Sequence, residues 1–236
     1  MLGNGISHGM YNPATVWSSD TSMYFDGVND VATYNLGTGH NIHDHFSVSM
    51  WVKAGEINAN FSLFQIRIGD STKSTKRLKI WYRSSIQRLY VTRVGIGGEA
   101  TIVKGVTTDQ MQQGVHICFA MENSEEMALY VNGQVGSTVD TVSGSWNEEP
   151  ILATHINIGA SDEQAFGEYF NGWIRDITFF SGQISTQQIA DVYNNAEPKD
   201  ESGSPALAYN WTSNNQYQGL LSYAAPPLIV SNYATS

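Results

Sequence analysis

No intramolecular disulfide can hold this chain together, because its 236 residues include a single cysteine, Cys118. That residue sits in Val115-His116-Ile117-Cys118-Phe119-Ala120-Met121, where Val115, Ile117, Phe119 and Met121 share one face and Cys118 takes the other. The pattern predicts a partly buried structural thiol rather than a nucleophile. Charge is scarce as well. Charged residues make up 14% of the chain, and 12 Lys and Arg stand against 22 Asp and Glu, a net charge of −10. Such a chain repels a phosphate backbone, so nucleic acid is not an expected partner. No apolar run approaches the ~20 residues of a membrane span. The opening Met1-Leu2-Gly3-Asn4-Gly5 lacks a basic segment and an apolar core, which predicts no secretory signal peptide.

What the chain does have is apolar residues at 41%, with 22 Gly and 12 Tyr. That balance suits a strand-rich, turn-rich protein with a polar but weakly charged surface. Its length fits the ~200–250 residues that one all-β sandwich can occupy. Alternation is plain in Phe46–Lys53, where Phe46, Val48, Met50 and Val52 face inward while Ser47, Ser49, Trp51 and Lys53 face outward. Phe64, Ile66 and Ile68 share a face, as do Leu78, Ile80 and Tyr82, and Leu89 and Val91. Ser22–Phe25 and Val31–Tyr34 flank the Asp26–Asp30 turn and are expected to form a hairpin. Met127, Leu129 and Val131 run into Asn132-Gly133, a strong hairpin signal, and His155–Gly159 reads as a further short strand.

The longest strand signal is Phe170–Phe180. Its faces read Trp173, Arg175, Ile177, Phe179 and Ile174, Asp176, Thr178, Phe180. Neither face is purely polar, which predicts a strand covered on both sides with a bulge near Asp176. Ser185 and Gln188 have capping-box spacing, and Ile189, Val192 and Tyr193 fall on one helical stripe. The expected fold is therefore all-β, a two-sheet antiparallel jelly-roll sandwich with one short C-terminal helix. Residues 1–20, rich in Gly, Asn and Ser, read as an N-terminal arm, 21–211 as the domain and 212–236 as a C-terminal arm. Pro226-Pro227 stiffens the last arm, and Leu228, Ile229, Val230 and Tyr233 give it apolar area for a neighbouring subunit.

Three sets of residues invite a chemical reading. Asp26, Asn29 and Asp30 offer hard oxygens to calcium, though such residues also brace turns through their own backbone. Asp162, Glu163 and Glu168 in another loop, and His40, His43 and His45, are weaker metal candidates that read better as solvated loops. No cofactor is required by any of these motifs, and calcium is the ion the first turn could serve. On the outward faces, Trp81 and Arg83 precede Ser84-Ser85, and Arg88 and Tyr90 follow it. If the two strands pair, these four residues share one exposed face of aromatics and donors, suited to a glycan or a protein partner.

The stretch Phe170-Asn171-Gly172-Trp173-Ile174-Arg175-Asp176-Ile177-Thr178-Phe179-Phe180, followed by Ile184-Ser185-Thr186-Gln187-Gln188-Ile189, resembles the C-terminal signature of laminin-G-like domains of the concanavalin A-like lectin/glucanase superfamily. Tyr24–Asp30, Phe46–Val52 and Leu129–Gly133 extend the resemblance over roughly residues 20 to 196. It implies a concanavalin A-like jelly roll that often binds carbohydrate, sometimes through calcium. Hydrolysis is not expected. Glycosidases need two facing carboxyl groups, and the Glu-x-Asp-x-x-Glu run of the laminarinase-type branch is absent, since Glu122–Glu126 and Trp146–Pro150 lack that spacing. With its arms and without a signal peptide or disulfide, the chain resembles bacteriophage virion proteins of this fold, such as capsid decoration or fibre proteins. The resemblance implies a homo-oligomer in a virion, made in the host cytoplasm and contacting other virion proteins, with glycan adhesion as a secondary role. The alternative is a lectin module outside a virion, and a glycoside hydrolase is the least favoured reading.

Overall fold

The computed structural model describes residues 22–42, 46–68, 77–95, 98–121, 127–135, 142–144, 151–161, 168–180, 184–194, 208–211, 217–219 and 229–232. Its strands are β1 (Met23–Asp26), β2 (Asp30–Ile42), β3 (Phe46–Ala54), β4 (Phe61–Ile68), β5 (Arg77–Arg83), β6 (Arg88–Gly95), β7 (Gly98–Gly105) and β8 (Val115–Met121). They continue as β9 (Met127–Val131), β10 (Gln134–Val135), β11 (Val142–Gly144), β12 (Ile151–Ile158), β13 (Asn171–Phe180), β14 (Ala208–Trp211), β15 (Tyr217–Gly219) and β16 (Ile229–Asn232). Helix α1 spans Thr108–Gln113 and α2 spans Thr186–Tyr193. The strands form two antiparallel eight-stranded sheets. The first has the order β10-β9-β8-β3-β13-β14-β15 with β1 also on β13; the second runs β11-β7-β6-β5-β4-β12-β2-β16. Their inner faces share one core that includes Val48, Met50, Phe64, Ile80, Leu89, Ile117, Phe119 and Ile174.

Strand β13 is interior, as its two-sided pattern predicts, and its bulge is where the sequence suggests. Asp176 adopts a left-handed backbone at φ 51°, and the register against β3 shifts between Arg175 and Thr178. The extra residue changes the faces expected from simple alternation. Ile174 and Ile177 both enter the core, three residues apart, while Arg175 and Thr178 are buried on the opposite side. On the edge away from β3, β1 pairs with Asn171–Ile174 and β14 with Ile177–Phe180, so the bulge falls between the two partners. Gly172 allows β3 to come close: at φ 140°, a Cβ there would lie 2.2 Å from the Lys53 carbonyl oxygen.

The hairpin expected around Asp26–Asp30 does not form. β1 joins β13 in the first sheet and β2 joins β12 in the second, so the turn carries the chain from one sheet to the other. Alternation fixes which face a residue takes but not which strand lies beside it. The Asn132-Gly133 hairpin does form, with φ 52° and 71° at the two turn residues, the type I′ pattern. The tail segment Ile229–Asn232 pairs with β2 as an edge strand of its own chain. Leu228, Tyr233 and residues 1–20 lie outside the described residues.

Helix α2 has the predicted cap: Ser185 Oγ accepts from Gln188 N–H at 3.2 Å, and Ser185 N–H donates to Gln188 Oε1 at 2.7 Å. It covers the outer face of the first sheet. Ile189 and Ile184 pack on Cys118, Ala120 and Tyr130 in a second, smaller apolar cluster. Cys118 is thus wholly buried, and burial pushes its thiol pKa up, consistent with a structural role. Ser47, Ser49 and Trp51 point away from the main core as alternation requires, yet they are buried beneath this layer. Trp51 stacks on Tyr193 at 5.6 Å, and Ile184 N–H donates to Ser47 Oγ at 3.1 Å. Helix α1 was not expected. Its signal was the capping box Thr107–Gln110, and Met111 anchors it.

His116 lies in the same layer, 5.2 Å from Trp51 and 5.6 Å from Tyr193 between ring centroids, with Nε2 2.7 Å from Ser49 Oγ. Burial holds its pKa down to about 3 from the ordinary 6.5. The folded state keeps the imidazole neutral where the unfolded chain takes up a proton. Its contribution is therefore fully present above pH 6.5, is lost as pH falls, and levels off below about 3. The expected slope from this residue is ~1.4 kcal/mol per pH unit within that window. Urea unfolding of the intact chain and of His116→Gln across the window checks this. Parallel loss of stability in both proteins would refute the assignment.

Candidate functional site

The outer face of the second sheet centres on the β5–β6 hairpin. Leu78, Ile80 and Tyr82 of β5, and Leu89 and Val91 of β6, are fully inside, which turns Lys79, Trp81, Arg83, Arg88, Tyr90 and Thr92 to the other side. The register pairs Trp81 with Tyr90 and Arg83 with Arg88. All four residues singled out in the sequence are therefore brought together. The two rings stack with centroids 4.6 Å apart and planes 22° apart, and both are half-buried. Trp81 Nε1–H donates to Thr92 Oγ1 at 3.0 Å, fixing the indole. Both arginines are exposed.

Strand pairing adds neighbours that sequence reasoning missed. Ser62 of β4 lies opposite Trp81, Val103 of β7 opposite Tyr90, and Gly105 opposite Arg88. Their own segments alternate no differently from any other strand, so only the register reveals them. Lys79 sits 5.2 Å from the Trp81 ring centroid and forms an ion pair with Glu168, whose carbonyl oxygen accepts from Ser62 N–H. The cation thus screens part of the indole while its own charge is matched. The hairpin tip is held firmly. Residues Ser84–Ile86 form a 3₁₀ turn, Gln87 takes φ 51°, and Asn60 Oδ1 accepts from Ser84 N–H at 3.1 Å. Val106 N–H donates to the Gln87 carbonyl oxygen at 3.1 Å.

The Asp26–Asp30 turn is a separate place. Asp26 Oδ1 accepts from Val28 N–H at 2.7 Å and Asn29 N–H at 3.2 Å, while Asp30 Oδ2 accepts from Asp26 N–H at 2.9 Å. These oxygens brace the link between the two sheets. Among the described residues no group of three His, Cys, Asp or Glu is arranged to hold a metal. Asp162, Glu163, His43, His45, Glu122–Glu126 and Trp146–Pro150 lie outside the described residues, and of the second acidic loop only Glu168 is described, bound to Lys79. No helix among the described residues is long and apolar enough to cross a membrane.

A family model described as the concanavalin A-like lectin/glucanases superfamily, of the laminin G type, matches residues 25–190. Among proteins of curated function none matches the sequence. Solved structures with a similar fold include the native heptameric SAP-like pentraxin of Limulus polyphemus, at 15% identity and TM-score 0.58, covering 84% of this chain and 94% of that one. The CBM40 of the Ruminococcus gnavus IT-sialidase, bound to α2,3-sialyllactose, is 12% identical with TM-score 0.54, covering 75% of this chain and all of that chain (100%). Domain 4 of the arabinanase AbnA of Geobacillus stearothermophilus, in complex with arabinotriose, is 14% identical with TM-score 0.51, covering 73% and 76%. At these identities the likeness is one of fold.

The braced oxygens of the first turn generate a test. Two backbone N–H groups depend on Asp26 Oδ1, so Asp26→Ala should lower stability with or without calcium by about 1 kcal/mol, about 2–4 °C in Tm. Thermal melts in calcium and in chelator check it. A large calcium-dependent rise in Tm that vanishes in Asp26→Ala or Asp30→Ala would instead make the turn a calcium site.

Proposed function

This chain belongs to the concanavalin A-like lectin/glucanases superfamily, and from that premise we propose that it is a non-catalytic carbohydrate-binding module. The observation that carries the reading is the Trp81–Tyr90 pair, standing off the outer face of the second sheet beside Arg83 and Arg88. The C–H face of a pyranose is apolar and its rim is polar, so it needs an aromatic surface with donors beside it. Guanidinium groups supply several N–H donors in a fixed plane. Lys79 and Thr92 hold Trp81 in place, which lowers the entropy lost on binding. Hydrolysis would need two carboxyl groups about 5–10 Å apart across the bond. Glu168, the acidic side chain described beside this face, is engaged by Lys79.

A second reading places the module in a particle: a structural subunit of a bacteriophage virion, such as a capsid decoration or fibre protein, that assembles as a homo-oligomer. The exposed apolar side chains Tyr24, Val28, Ile86 and Val135 support assembly, as does the heptameric state named for the similar pentraxin. The two readings are compatible, because several linked copies bind a glycan surface with far higher avidity than one. The tail supports assembly less directly, since Ile229–Asn232 is taken up along β2.

Trp81→Ala should weaken binding to the best ligand of a glycan panel by roughly tenfold, the loss expected from ~1.5 kcal/mol of ring contact, while circular dichroism shows the fold retained. Unchanged binding in a folded Trp81→Ala protein would move the site elsewhere. Mass in solution, for the intact chain and for one lacking residues 1–20, checks the assembly reading; a monomer in both would oppose it.

A further inference from the structure

We propose that the end of this face formed by Arg83, Arg88 and Gly105 binds the anionic group of an acidic saccharide, a sugar bearing a carboxylate or sulfate. The inference rests on the Trp81–Tyr90 reading and specifies its ligand class.

Arg83 and Arg88 are direct partners across the hairpin, and their side chains leave the sheet on the same side. Like charges placed opposite each other on neighbouring strands destabilise the pair. Folding alone would favour a carboxylate at one of the two positions, and neither has one. Three other cations of the described residues have partners of their own. Lys79 is paired with Glu168, Arg175 lies 3.2 Å from Asp176 Oδ2, and Lys104 Nζ donates to the carbonyl oxygens of Gln134 and Val135 at 2.9 Å. Arg83 and Arg88 form no such pair among the described residues, and both are exposed. The neighbouring position on β7 is open: a Cβ built on Gly105, the partner of Arg88, meets nothing within 4 Å. Two arginines therefore stand opposite each other beside an open position at the end of an aromatic platform.

The spacing suits one ligand spanning both features. Arg83 and Arg88 lie two residues along their strands from Trp81 and Tyr90, about 7 Å at ~3.3 Å per residue. A sugar ring against the aromatic pair would place a substituent within reach of the arginines. Planar guanidinium groups match carboxylate and sulfate oxygens two at a time, which a lone ammonium cannot do. The net charge of −10 acts against any anion at long range. Its field is screened beyond about 8 Å in physiological salt, whereas an anion seated between the arginines is inside that distance. The local pair therefore decides the sign. The braced turn at Ser84–Gln87 and its bond to Asn60 hold the two strand ends in register, so the backbone positions that carry the arginines are set before the ligand arrives.

The test uses the full chain and acidic glycans paired with their neutral forms: oligogalacturonate with its methyl ester, sialyllactose with lactose, and sulfated with unsulfated dextran oligomers. The expected result is a preference for the acidic member of at least one pair, weakening as salt rises. That preference should fall by roughly tenfold in Arg83→Gln and in Arg88→Gln, the scale of a lost charge-assisted contact. Because the substitutions relieve a like-charge pair, Tm should hold or rise. Gly105→Glu, which sets a carboxylate at the open position opposite Arg88 without backbone strain, should remove the preference in the same way. Equal binding of acidic and neutral members, with Trp81→Ala abolishing both, would overturn the anion site and leave the carbohydrate reading standing. Absence of all sugar binding by the folded chain would overturn both. Preferential binding of single-stranded oligonucleotide over every acidic glycan would overturn the saccharide class.

Discussion

The displaced residue in β13 governs much of this sandwich. Asp176, held in a left-handed backbone, lets Ile174 and Ile177 both enter the core and leaves Arg175 and Thr178 together on the other side. Each of those positions has a consequence. The inward pair packs the two sheets against each other. Arg175, lying 5.5 Å from the Trp51 ring, becomes part of the layer in which Tyr193 of α2 also stacks on that ring. The bulge also divides the strand's free edge, so β1 and β14 share it. Burial raises the pKa of the Asp176 carboxyl, while Arg175 beside it pulls the pKa back down. A residue in this position costs conformational strain that only the surrounding packing can offset.

That construction gives the two outer faces different fates. Part of the first sheet's outer face is covered by α2, and the side chains beneath it are buried, His116 among Trp51, Tyr193 and Ser49, and Cys118 beneath Ile189, while Tyr24 beside Trp173 on the same face stays exposed. Groups that look reactive in a sequence become inert there, because desolvation outweighs their hydrogen bonds and holds them neutral. The second sheet's outer face carries a hairpin whose aromatic pair and arginines remain accessible at the braced tip. On the first sheet the outward residues of β3 and β8 attach a helix, whereas on the second those of the β5–β6 hairpin stay at least partly exposed at its tip.

Periodicity carried the description far. The β5–β6 face, the bulge near Asp176, the Asn132-Gly133 turn and the Ser185 cap were all legible, because each depends on residues close in sequence. The hairpin expected at Asp26–Asp30 was not formed, since two alternating segments beside a turn do not say whether they pair with each other or with distant strands. Helix α1 was overlooked because six residues give too short a period, although its capping box was there to be read. Trp51 was placed on the correct side, but nothing local told that a helix 140 residues later would cover it.

By itself the sequence determined the class of fold, the alternation of most of the longer strands, the exclusion of an intramolecular disulfide and the acidic composition. Tertiary structure decided which strands are neighbours, which part of the outward surface a helix covers, and which cations lack a carboxylate among the described residues. Arg83 and Arg88 are five residues apart in the chain and ordinary on their own. Only the register sets them opposite each other with Gly105 open beside them, the arrangement on which the proposed anion site rests. The reason is physical: side-chain direction is a local property of the backbone, whereas electrostatic neighbourhood depends on pairings made across the whole chain.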